Sequence, residues 1–153
     1  MKRDESYYPG EQLLNGELQG LLSKIIIVRG LVLKQQVDNP YMDLLYAVNL
    51  YGKSGEESDS DWILLDLVKC LESLGNLHNG LNSVSTRCQS VEKIIRALKI
   101  SDNLEKAVTK DAYKVRSMRA AHAPKDIPID AVLIENLRKL DRRLILDFLR
   151  TVN

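Results

Sequence analysis

"DAVLIENLRKLDRRLILDFLR", residues 130–150, decides the fold class. Leu133, Leu137, Leu140, Leu144 and Phe148 recur at spacings of three and four, which marks a helix with one apolar side. Asp130 stands at the N-cap position, so the helix is expected over 131–151. The same period runs backwards through the chain, and no segment alternates with period two over a useful length. An all-α antiparallel bundle of about five helices in one domain, 1–153, follows, with 1–10 as a flexible N-terminus.

Working outward, Asp102-Asn103-Leu104-Glu105 has the spacing of a capping box and opens a helix to about Ala121, its face made by Leu104, Val108, Val115 and Met118. A helix is expected from Leu81 to Lys99 through Val84, Cys88, Val91, Ile94, Ile95 and Leu98. GNLHNG, 75–80, reads as a joint. Before it, Asp59 or Ser60 caps a helix beginning near Asp61 and carrying Trp62, Leu65, Leu67, Val68, Leu71 and Leu74. KSGEESDSD, 53–61, reads as loop, and 41–51 as a shorter helix before it. The first helix is expected over 11–37, where Leu14, Leu18, Leu21, Leu22, Ile25, Val28 and Val32 make the stripe. Gly16, Gly20 and Gly30 each weaken it by roughly 1 kcal/mol relative to alanine, or give room for close helix packing.

Composition sets limits on function. Hydrophobic residues are 44% and charged residues 28% of the chain, ordinary for a globular domain, and aromatics are only 5%, which disfavours strands. Cys70 and Cys88 lie in apolar-periodic segments and are expected as reduced, partly buried thiols. No CxxC or Cys/His cluster has zinc spacing, and HExxH, P-loop, GxGxxG and GxSxG motifs are absent, so neither metal nor cofactor is expected. The longest apolar run, 25–33, is interrupted by Arg29, so no membrane span is expected and the cytoplasm is the default compartment. Net charge is +1, divided unevenly: residues 1–86 carry 7 Lys/Arg against 12 Asp/Glu, residues 87–153 carry 15 against 9. Such asymmetry suits an anionic partner for the basic half, or attraction between the two halves within a chain or across a dimer.

Of the two histidines, His78 sits in the 75–80 joint, where an exposed or capping role is ordinary. His122 has richer surroundings: RSMRAAH, 116–122, puts Arg119 three residues before it and Arg116 six before it. Two permanent cations near an imidazole favour its neutral form, the form a general base needs. Arginines beside it suit a phosphodiester.

RSMRAAH, read as Arg-x5-His at the end of a late helix, followed by the turn APKDIPID and a closing amphipathic helix, resembles the HEPN family. The likeness covers roughly 80–150 well and the first half by helix content alone. It departs where Ser117 replaces a common asparagine and where Pro124 replaces a tyrosine of one subgroup. The resemblance implies a homodimeric, metal-independent endoribonuclease in which two motifs meet across the interface. It implies catalytic Arg116 and His122, with Arg119, Ser117 and Lys114 binding RNA. Members commonly act as toxins or defence effectors beside an antitoxin.

Two other readings compete. In one, the chain is a non-catalytic helical interaction or adaptor protein, a degenerate HEPN-like protein included, and its cations simply satisfy a helix C-terminus. In the other, Lys110, Lys114, Arg116, Arg119, Arg138, Arg142 and Arg143 form a basic surface for nucleic acid, with no recognition-helix or stacking signature to accompany it.

Overall fold

The computed structural model describes residues 15–34, 41–78, 91–122 and 129–151. Six helices occur among them: α1 Asn15–Lys34, α2 Tyr41–Glu56, α3 Ser60–His78, α4 Val91–Ala97, α5 Asn103–His122 and α6 Ala131–Thr151. No strand occurs among the described residues, and none of their helices is long and apolar enough to cross a membrane. The all-α bundle read from the sequence is the fold.

α3 is the axis of the bundle. Leu64, Leu67, Val68, Cys70, Leu71 and Leu74 are all buried, and α2, α4, α5 and α6 each pack on this helix. The three-residue link 57–59 folds α2 back against α3. α6 contributes Leu137, Leu140, Leu144, Ile145 and Leu149, so the stripe that decides the fold class is the one that enters the core. α1 packs on α2 and α6.

Helix ends follow their caps. Asp59 Oδ1 accepts the Asp61 N–H at 2.8 Å, and Asp130 Oδ1 accepts the Val132 N–H at 2.9 Å. Asp102 Oδ1 accepts the Glu105 N–H at 2.9 Å, but the reciprocal half of the capping box is not made. The Glu105 carboxylate turns instead to Arg143 of α6, accepting from Nε and Nη2 at 2.7 Å each. α4 closes on a Schellman motif: Ile100 N–H reaches Ile95 O and Lys99 N–H reaches Arg96 O. Lys99 takes the left-handed position with φ 53°, where glycine is usual, and buried Ile100 closes the motif beside Ile95.

Several boundaries and faces differ from the sequence reading. α2 runs on through Lys53-Ser54-Gly55-Glu56, which had read as loop. Ser54 is fully buried; its Oγ donates to Tyr51 O at 2.6 Å and receives Arg138 Nη1 at 3.2 Å, so tertiary contacts outweigh its turn-like composition. α3 likewise passes Gly75 and ends at His78. Trp62 and Leu104, expected on buried faces, are more than half exposed. α5 is buried through Val108, as expected, and through Thr109 and Ala112, with Thr109 Oγ1 donating to Glu105 O at 2.8 Å. On α1, Val28 is buried while Leu22 and Ile26 are exposed. Among the described residues no neighbouring element comes within 4 Å of the place a side chain would take at Gly20 or Gly30, so none of the described helices packs closely against these glycines. Residues 79–90, with Val84 and Cys88, and the ends of the expected first helix, 11–14 and 35–37, lie outside the described residues.

Leu137 and Leu144 have 0% and 3% of their surface exposed. Each changed to alanine should lower unfolding free energy in urea by about 2–5 kcal/mol. A loss near zero at both positions would remove α6 from the core.

Candidate functional site

The motif occupies the last two turns of α5, which ends at His122. Arg116 is the part whose surroundings are defined. Its Nη1 donates to Glu72 Oε1 at 2.7 Å, and the same oxygen accepts from Tyr113 Oη at 3.2 Å. The guanidinium carbon lies 6.0 Å from the centroid of the Tyr113 ring, within reach of a cation–π contact. Arg116 and Glu72 keep 33% and 30% of their side-chain surface exposed, so the pair is partly shielded and still open to solvent. Glu72 occupies one of the five guanidinium N–H donors and sets the orientation of the others.

Sequence alone could not find this partner. Glu72 stands 44 residues from Arg116, on α3, and carries no local signature. The Arg119 and His122 side chains lie outside the described residues, as do the turn 123–128 and Pro124 within it. Ser117 and Lys114 are exposed. They do not converge with Arg116: two residues of helix put Lys114 about 160° around the axis from it, and one residue puts Ser117 about 100° away. His122 follows Arg116 by about 9 Å along the axis and about 120° around it. The motif therefore spans a corner of α5, with Arg116 turned towards α3. His78 is the last residue of α3, and its side chain is outside the described residues.

The broader basic surface drawn from the sequence divides. Arg138 is spent within the bundle, with Nη1 on Ser54 Oγ and Nη2 on Ser54 O, both at 3.2 Å. Arg143 is held by Glu105 and by Asp147 Oδ2 at 2.7 Å. These arginines tie α6 to α2 and α5 and do not join Lys110 and Lys114 in one face.

A second polar group lies deeper. Asp141 of α6 has no exposed surface, and neither carboxylate oxygen has a hydrogen-bond partner among the described residues. The Cys70 thiol of α3 and the Arg138 guanidinium, one turn earlier on α6, are the polar groups that act on it. Burial pushes the Asp141 carboxyl well above the usual carboxylate range, and the thiol and guanidinium offset this only in part. Burial, then the neighbouring Asp141 charge, push the Cys70 thiol up as well, so Cys70 is an inert buried thiol and not a nucleophile. Asp66 on the same side of α3 keeps Oδ1 3.9 Å from Lys53 Nζ, while its Oδ2 is unpartnered. No group of three or more His, Cys, Asp or Glu among the described residues could hold a metal ion.

No family model, no curated protein and no solved structure matches the chain.

Two measurements follow from this geometry. A double-mutant cycle of Glu72→Ala with Arg116→Ala should give a coupling of about 0.5–1 kcal/mol, the range for a half-exposed pair; additivity would mean that the ion pair does not form in solution. The second concerns pH. Burial pushes the Asp141 carboxyl up in the folded state, while the unfolded chain ionises it near the ordinary value of ~3.9. Stability from this group is fully present below that value and is lost as pH rises through the window up to the raised folded value, at up to about 1.4 kcal/mol per pH unit. Asp141→Asn should flatten that decline in urea unfolding measured from about pH 4 upward. Parallel pH profiles for the two proteins would contradict burial of the acid.

Proposed function

We propose that the chain is a HEPN-like, metal-independent endoribonuclease acting as a homodimer. The observation that carries this reading is Arg116 itself. It sits on the last turns of the penultimate helix, oriented by Glu72, partly open to solvent, and six residues before the helix-terminal His122. The corner spanned by the motif favours two chains, since His122 of one copy and Arg116 of the other can then face one phosphodiester.

In this reading His122 takes the proton of the ribose 2′-hydroxyl. The 2′-oxygen attacks phosphorus, the bond to the 5′-oxygen breaks, and the leaving oxygen gains a proton. Products are a 2′,3′-cyclic phosphate and a 5′-hydroxyl. Arg116 balances charge on the phosphoryl oxygens, and Arg119, Ser117 and Lys114 hold the strand. A toxin or defence role beside an antitoxin belongs to the same proposal.

A second reading is favoured by the Arg116–Glu72 bond. A guanidinium paired within its own chain serves packing of α5 on α3, and the protein is then a non-catalytic helical interaction module.

The test is cleavage of single-stranded and structured RNA in EDTA. His122→Ala should lower the rate by about 10²–10⁴-fold, the usual worth of general acid–base catalysis, and Arg116→Ala by a comparable factor. EDTA should leave the wild-type rate unchanged. Wild-type protein that cleaves no RNA faster than His122→Ala would leave the second reading.

A further inference from the structure

α5 carries lysines at 106, 110 and 114, each four residues from the next. Residues at that spacing form one slanted row on a helix, rising about 6 Å and turning about 40° per step. Lys110 and Lys114 are exposed, Lys106 is half-buried, and the opposite side of α5 is the buried one, through Val108, Thr109 and Ala112. Continued by the same step, the row passes exposed Met118 and reaches position 122, the residue proposed as general base.

α4 adds to this face. Lys110 Nζ lies 3.6 Å from Glu92 Oε1, with both side chains more than half exposed. The link 98–102 joins the end of α4 to the start of α5, and the two helices are in contact. With Glu92 beside Lys110, an antiparallel pairing brings Arg96, one turn after Glu92, to the Lys106 end of α5. Arg96 is exposed. Among the described residues the exposed acids near this row are Glu92, Asp111 and Asp102, the last one step before Lys106 and engaged as the cap of α5 by the Glu105 N–H. An open ion pair such as Lys110–Glu92 is worth at most about 1 kcal/mol and is screened by salt, so a phosphate can replace Glu92 at little cost.

We propose that Lys106, Lys110 and Lys114, with Arg96 beside them, form a track that lays the backbone of single-stranded RNA along α5 and delivers it to the motif at the end of that helix. The proposal rests on the ribonuclease reading and names the part of the surface that holds the substrate. Three cations in one row at a step of about 6 Å suit successive phosphates of an extended strand. The contacts read charge and not base identity, so the track grips RNA without sequence preference.

The experiment measures binding of a labelled oligouridylate in a salt series between ~50 and ~200 mM, in a His122→Ala background that leaves the RNA uncut. Each phosphate contact on a single strand contributes about 0.7 to the slope of log affinity on log salt. Lys106→Gln, Lys110→Gln and Lys114→Gln together should lower the slope by about 2 and weaken binding on the order of 100-fold at ~0.1 M salt. Asp111→Asn should tighten binding. All four positions are on the surface side of α5, and a circular-dichroism melt of each variant confirms that it is folded. An unchanged slope in the folded triple variant overturns the track, whether or not wild-type protein cleaves RNA. Loss of the slope with no cleavage by wild-type protein keeps the track and removes the ribonuclease reading. Equal competition by polyglutamate of the same charge overturns the RNA assignment in favour of an acidic protein partner.

Discussion

Burial of α3 is the constraint on which the rest of the bundle depends. A helix wrapped by four neighbours has little surface left for polar groups, and each one present must be held or neutralised. Glu72, on the edge of that helix, reaches out to Arg116 and Tyr113 of α5. Cys70, at its centre, meets Asp141 of α6. The first contact sets the orientation of the motif arginine. In the second, burial pushes the Asp141 carboxyl up and the thiol offsets that only in part.

The arginines divide by what surrounds them. Arg138 and Arg143 meet backbone and side-chain acceptors on α2 and α5, so their planar donors hold α6 in register. Lysines dominate the outer side of α5, where a flexible, hydrated ammonium suits a partner that arrives from solvent. Arg138 and Arg143 are thus structural, and the α5 lysines are the cations that the proposed track uses.

Much of the architecture was legible because the signals are local. The α6 stripe, the Asp102 and Asp130 caps and the end of α5 near residue 121 depend on spacings of three and four and on one side-chain acceptor each. What the sequence could not give is tertiary. The KSGE segment is helical because Ser54 is locked between Tyr51 and Arg138, a contact 84 residues away in the chain. Trp62 and Leu104 are exposed because none of the described helices covers that side of their helix. Of the motif, its position on α5 was legible. The Glu72 partner of Arg116 was not, and neither was Asp141, which reads as one more charge in "LDRRL" and has no local mark of burial.

The proposed ribonuclease depends on one statement: Arg116 and His122 act on a phosphodiester across two chains. Mixing Arg116→Ala protein with His122→Ala protein tests it. A mixed dimer holds one intact arginine and one intact histidine on opposite chains. The account predicts that the mixture cleaves RNA to a 2′,3′-cyclic phosphate end when neither variant alone does. Mixed dimers demonstrated by native mass spectrometry, yet as inactive as their parents beside an active wild type, would contradict it.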